Sequence, residues 1–146
     1  MDFKIEKGTF LQGLYFAQGI ADRKSTMPIL ANVLLRTDGP ERIIVAATDL
    51  NITVTTEIPC EVLGEGGLTV GAKHLHDIVK SLPGDRLRLK RADNNYAEIA
   101  AGKVAYKVVG LADRDFPRLP NPREVTYNKV DPAVLRDLIS KTFFSI

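Results

Sequence analysis

The stretch Met27-Pro28-Ile29-Leu30-Ala31-Asn32-Val33-Leu34-Leu35, followed at a short distance by Ala46-Ala47-Thr48-Asp49-Leu50-Asn51, decides how the chain is read. Pro28 fixes its own φ and pushes Met27 towards an extended conformation, so a strand is expected to start there. Ile29, Leu30, Val33, Leu34 and Leu35 form a nearly continuous apolar run, the pattern of a strand covered on both faces. Thr48-Asp49-Leu50-Asn51 turns the chain between Ile43-Val45 and Ile52-Val54. Asp and Asn favour such turns because their side chains bond nearby backbone amides. Asp49 has no His, Cys or second carboxylate beside it in sequence, so it reads as a turn residue rather than a catalytic one.

Working outward, the same order of elements occurs twice. The alternation of Phe3 and Ile5 with Lys4 and Glu6 predicts a half-buried strand. Gly8 breaks it, and Thr9 is the expected N-cap of a helix from Phe10 to about Ile20. In that helix Phe10, Leu11, Leu14, Phe16 and Ala17 are expected to be buried, with Gln12, Tyr15, Gln18 and Gly19 opposite. It carries no charge between those limits. Three strands follow: Leu30–Thr37, Arg42–Ala47 and Ile52–Ile58, turned by Asp38-Gly39-Pro40 and by Thr48–Asn51. Gly64-Glu65-Gly66-Gly67 punctuates. Then come a short strand at Leu68–Val70, a helix from Ala72 to Leu82 stopped by Pro83-Gly84, and strands at Arg86–Arg91, Tyr96–Ala100 and Val104–Val109. Strand, helix and three strands thus repeat as an internal duplication. The expected class is α+β, with two helices packed on antiparallel sheets.

Beyond this, Pro117-Arg118-Leu119-Pro120-Asn121-Pro122 reads as a semi-rigid extended linker. The order then starts a third time. Val125-Thr126-Tyr127 predicts a strand, Asp131-Pro132 an N-cap with Pro at the first helical position, and the helix runs to about Lys141. Phe143-Phe144-Ser145-Ile146 is expected to open another strand. A chain stopping inside an apolar strand suggests a piece of a longer polypeptide, with 1–120 as one domain and 121–146 as a linker and the start of a second.

Composition narrows the function. The 146 residues are 45% hydrophobic and 26% charged, with a single cysteine, Cys60, and no apolar run of membrane-spanning length. That pattern excludes an internal disulfide and fits a reducing, cytoplasmic setting. A net charge of +2 does not by itself announce a nucleic-acid binder. Gly66–Lys73 superficially resembles a phosphate-binding loop, but Ala72 separates Gly71 from Lys73 and His74 follows, so the spacing fails. His74 and His76 lie two apart on a helix and do not converge on one ion, and no metal or cofactor is expected. Cys60 follows Pro59 at a strand end without a paired histidine. The second helix is more informative. Leu75, Ile78, Val79 and Leu82 form its apolar stripe, while Lys73, His76 and Lys80 fall on the other side, partly offset by Asp77. With Arg23 and Lys24 they make a modest basic surface suited to phosphates, or simply a solvated helix face.

These residues carry a family resemblance. Met27–Leu35, Ala47-Thr48-Asp49-Leu50, Thr69-Val70 with Ala72-Lys73, Asp77-Ile78-Val79, Leu82-Pro83 and Asp115-Phe116-Pro117 resemble, in register, the N-terminal third of the bacterial DNA polymerase III beta subunits, the sliding clamps. The resemblance implies a DNA-clamp fold whose helices line a central hole, two three-domain subunits closing head to tail around duplex DNA. It implies a non-enzymatic processivity factor. The catalytic subunit and the clamp loader would dock between the second and third domains, beyond this chain.

By position, Lys24 and Lys73 are expected to touch DNA. Arg23, His76 and Lys80 join them from the helical wheel, and Gln12 and Gln18, with Tyr15, suit water-mediated contacts. The strand Lys103–Val109 is the expected exposed edge that pairs with the partner subunit. Tyr106, Val108, His74 and Ile78 would be its apolar contacts, with plain core as the competing reading for Ile78 and Val108. Two rival functions stay open: a free-standing sequence-independent DNA-binding module, and a small α+β enzyme using Asp49, Asp115 or the histidines.

Overall fold

The computed structural model describes residues 1–21, 26–119 and 126–145. Arg23 and Lys24 therefore lie outside the described residues, as does Val125. The first helix, α1 (Lys7–Ile20), follows strand β1 (Asp2–Glu6) without a gap. It starts earlier than Thr9 because Glu6 is the cap: its carboxylate accepts the Gly8 amide at 2.8 Å and the Thr9 amide at 2.5 Å. The Thr9 hydroxyl joins them, and this bond, with the amides, holds the Glu6 carboxyl below its ordinary pKa.

Pro28–Ala31 forms a 3-10 turn rather than the start of a strand. Pro28 stands at its first turn and the Leu30 amide bonds the Met27 carbonyl at 3.1 Å, so the extended run begins only at Asn32. Strands β2 (Asn32–Thr37), β3 (Arg42–Thr48) and β4 (Thr53–Pro59) follow as an antiparallel meander. Asp49 closes its tip, its Oδ1 accepting the Asn51 and Ile52 amides at 2.9 and 2.6 Å. Those bonds, Ile52 first, hold its carboxyl below the usual range. They leave Leu50 in the left-handed region at φ 77°.

A short strand not foreseen, β5 (Glu61–Gly64), pairs with β1. The second unit is β6 (Gly67–Gly71), α2 (Ala72–Ser81), β7 (Arg86–Arg91), β8 (Tyr96–Ala101) and β9 (Val104–Leu111). The strands form one antiparallel sheet in the order β4-β3-β2-β6-β9-β8-β7-β1-β5. Each unit lends its first strand to the other: β6 lies against β2, and β1 against β7. This exchange makes the duplicated units one domain, since neither meander is complete without the other unit's strand.

The apolar run of β2 is covered on both faces, as its pattern predicts. Val33 and Leu35 enter the main core with Phe3, Phe10, Leu14, Leu75 and Leu89, beneath the two helices. Leu34 faces the other way into a smaller cluster with Ile29, Leu30, Ala46 and Phe116. Phe116 is carried there by a 3-10 turn at Asp113–Asp115, so the Asp115-Phe116-Pro117 stretch seals the outer side of β2 and β3.

Further on, α3 (Pro132–Thr142) is capped by Asp131, whose Oδ1 accepts the Ala133 amide at 2.7 Å. Thr126 and Tyr127 are not in a strand, and Phe143–Ser145 is a 3-10 turn rather than a strand. An edge strand needs a partner, and none of the described strands reaches this segment.

Candidate functional site

Helices α1 and α2 pack against each other over the same side of the sheet and share its core. Residues Phe10, Gly13, Leu14 and Ala17 are the buried side of α1. A Cβ on Gly13 would meet Ile58 Cδ1 of β4, so the end of that side chain would have to shift to admit one. Phe16, expected to be buried, is instead exposed, and Tyr15 beside it as well. Phe16 lies about 200° around the helix from Leu14, so apolarity alone misassigned it. Gln12 is exposed and Gln18 half-buried. Lys7 reaches across to α2, donating from Nζ to the Leu82 carbonyl at 2.5 Å, where a cation meets the negative end of that helix.

On α2, Ala72, Leu75 and Val79 are buried, while Lys73 and Lys80 are exposed on one face, two turns apart or roughly 10 Å. Lys80 also lies in the last turn, where the helix dipole favours it. His76 is turned inward instead, its side chain 16% exposed and its Nδ1 3.6 Å from Asp77. It neighbours the Ala72–Val79 stripe, which the grouping with Lys73 and Lys80 overlooked. Among the described residues no group of three or more His, Cys, Asp or Glu is placed to hold a metal ion. Cys60 is half-buried, and desolvation pushes its thiol up to about 11.

A second feature lies at β9. Residues Val104 to Val109 pair with β8 on one side only, and β9 meets β6 just at Thr69↔Leu111 and Val70↔Gly110. Tyr106 stands opposite fully buried Ile99, yet is 40% exposed because none of the described strands continues the sheet there. Where β6 and β9 diverge, a cleft of about 330 Å³ is lined by Pro28, Asn32, Gly71, His74 and Val108–Leu111. His74 and Val108 are thus brought together. A shallower groove joins Lys73, His74, Asp77, Ile78 and Ser81 along α2. Ile78 and Val108 are half-buried and pack on the core while keeping part of their surface open, so both readings of them describe some of their atoms. Lys103 is exposed in the turn before β9. Sequence reasoning missed Val109 and Leu111, exposed at this rim. The only signal was the break in alternation at Val108-Val109.

Residues 1–120 match the family model described as DNA polymerase III beta subunit, N-terminal domain. The chain belongs to this family. It is 33% identical over 148 aligned positions to the beta sliding clamp of Pseudomonas putida, covering the whole of this chain and 40% of that protein. A DNA polymerase sliding clamp from Caulobacter crescentus superposes with a TM-score of 0.86 at 32% identity, over 99% of this chain and 39% of that one. The clamp from Bacillus subtilis, at 22% identity, shares the fold with a TM-score of 0.90. The chain spans about 40% of the length of the curated relatives it matches. The expected clamp fold is therefore present, with β5 added to the first unit.

Proposed function

We propose that this chain is the first domain and the beginning of the second domain of a sliding clamp, a non-catalytic processivity factor that encircles duplex DNA and tethers a replicative polymerase. On this reading residues 1–120 form the first domain and 121–146 the linker and second-domain start. The setting is cytoplasmic, and among the described residues no helix is long and apolar enough to cross a membrane. The observation that carries the reading is the pairing of an open β9 edge with two helices on one side of a continuous sheet. An open edge beside an apolar cleft suits closure by another subunit, and adjacent helices without a strong basic field suit DNA that must slide.

Lys73 and Lys80, with Lys24 and Arg23, supply the phosphate contacts, and Gln12 and Gln18 water-bridged ones. His76 contributes less, being turned inward. His74, Ile78, Lys103, Tyr106 and Val108 form the dimer contact. Val134, Leu135, Leu138 and Ile139 of α3, all exposed, suit a helix whose core partners belong to the rest of a second domain. Polymerase and clamp loader dock on parts beyond this chain.

The test uses the full-length protein. Tyr106→Asp should shift its native mass from dimer towards monomer, and an undiminished dimer would remove β9 from the interface. Lys24→Ala with Lys73→Ala should weaken DNA contact while leaving the dimer intact; unchanged contact would remove those lysines from the site.

A further inference from the structure

Tyr15 and Phe16 form a feature that phosphate contacts and dimer closure leave unused. Their rings meet edge to face, centroids 5.9 Å apart at 70°, and they are 63% and 51% exposed. A single exposed apolar residue is ordinary, but two rings that fix each other make a defined surface. The 14 residues of α1 contain no Asp or Glu, and the neighbouring α2 exposes Lys73 and Lys80 with one carboxylate, Asp77, between them, a net positive face. The surroundings therefore favour a polyanion, and flat rings favour one that offers flat faces. Duplex DNA hides its base faces inside the stack and shows only edges and backbone. An unpaired strand offers a π-face at every base.

We infer that Tyr15, braced by Phe16, is a stacking platform for unpaired bases of single-stranded DNA. This rests on the reading that α1 and α2 face DNA. It adds a discrimination that lysines cannot provide, because phosphates are common to single and double strands. The contact is sequence-tolerant, since it uses the ring face and no base-edge hydrogen bond. The edge-to-face contact with Phe16 restrains the Tyr15 ring, which lowers the ordering cost of stacking.

The experiment is a titration of the chain, with its aromatic rings and amides isotope-labelled for NMR, by short oligo(dT) and separately by a blunt hairpin duplex. Millimolar concentrations tolerate weak binding. Oligo(dT) should move the Tyr15 ring protons upfield through the ring current of a stacked base. The duplex should leave them in place, and both should move the amides around Lys73 and Lys80. Tyr15→Ala should lower oligo(dT) affinity by about tenfold and duplex affinity far less, since only a water-bridged contact is lost there, with the salt dependence unchanged because no cation is removed. Both side chains are exposed, so the variant keeps the fold.

Equal ring shifts with duplex and oligo(dT), or an equal affinity loss for both, would overturn the stacking role while leaving the DNA-facing reading intact. Ring shifts that track protein concentration without DNA would reassign the pair to protein contact and overturn it too. If neither nucleic acid moves any α1 or α2 resonance, the underlying reading fails and the inference with it.

Discussion

Gly110→Ala tests how the two halves of the sheet are joined. Gly110 is buried on β9 opposite Val70, at one of only two positions where β9 pairs with β6. A Cβ there would lie 2.5 Å from the Thr69 carbonyl oxygen, 2.8 Å from the Asn95 carbonyl oxygen and 3.0 Å from Leu68 Cδ1. An ordinary carbon–oxygen contact needs about 3.3 Å or more, so β9 would have to retreat by roughly 0.8 Å from β6 or both carbonyls would have to tilt. Neither is a flexible side-chain end. Overpacking of this kind costs about 1–3 kcal/mol, and weakening one join hydrogen bond adds about 1. The expected loss is about 2–4 kcal/mol, or roughly 6–14 °C in Tm for a domain of this size. The opposite sign is expected at Gly19, where a Cβ meets nothing within 4 Å. Since no described atom crowds that position, Gly19→Ala in α1 should stabilise by up to about 0.5 kcal/mol. Urea melts followed by far-UV circular dichroism give both values. A Gly110→Ala protein within about 0.5 kcal/mol of the parent would refute the account of the β6–β9 join.

Three further outcomes are expected. Phe116→Ala should cost about 3 kcal/mol by opening the cluster of Ile29, Leu30, Leu34 and Ala46; a loss below about 1 in the same melts would show that 113–119 merely rests on β2 and β3. Cys60, with its thiol pushed up to about 11, should react with iodoacetamide near pH 8 more than about tenfold slower than in the urea-unfolded chain, and equal rates would contradict its burial. Arg88 donates to Asp2 at 2.9 and 2.5 Å and, chiefly through these bonds, holds that carboxyl below its ordinary pKa. Its stabilisation is therefore present above about pH 4 and lost as pH falls through the lowered value. Asp2→Asn should cost about 0.5 kcal/mol at neutral pH, in keeping with a solvent-screened pair. The gap should close in acid, and a gap that widens would refute the pairing.

Much of the fold could be read in the chain because its signals are local and repeated. Turn residues at Asp38-Gly39-Pro40, Asp49 and Asp93–Asn95 bracket strands of clear alternation, and Pro83-Gly84 ends the second helix, whereas the first begins before Thr9 because Glu6 supplies its cap. Asn94 and Asn95 take the left-handed conformations that such a turn requires. Strand β5 escaped because its four residues mean little until β1 lies beside them, and the exchange of β1 and β6 between units is likewise a long-range fact. At Pro28 local chemistry allowed either a strand or a 3-10 turn, and the Met27–Leu30 hydrogen bond decided it. Lys73, Lys80, His74 and the β9 edge were legible as candidates from spacing and family likeness. Phe16 was misplaced because its residue type was weighed above its angular position, and His76 because its place on the wheel beside Lys73 and Lys80 also borders the buried Ala72–Val79 stripe. The cleft between β6 and β9 depends on where two strands part, which no single segment records.

The most direct test of the clamp reading loads the full-length protein with its clamp loader onto nicked circular DNA, cuts the circle once and follows retention. A threaded clamp should be lost on linearisation, because it slides off the ends of the DNA. Equal retention on circle and line would contradict that reading and identify an ordinary surface-binding DNA module instead.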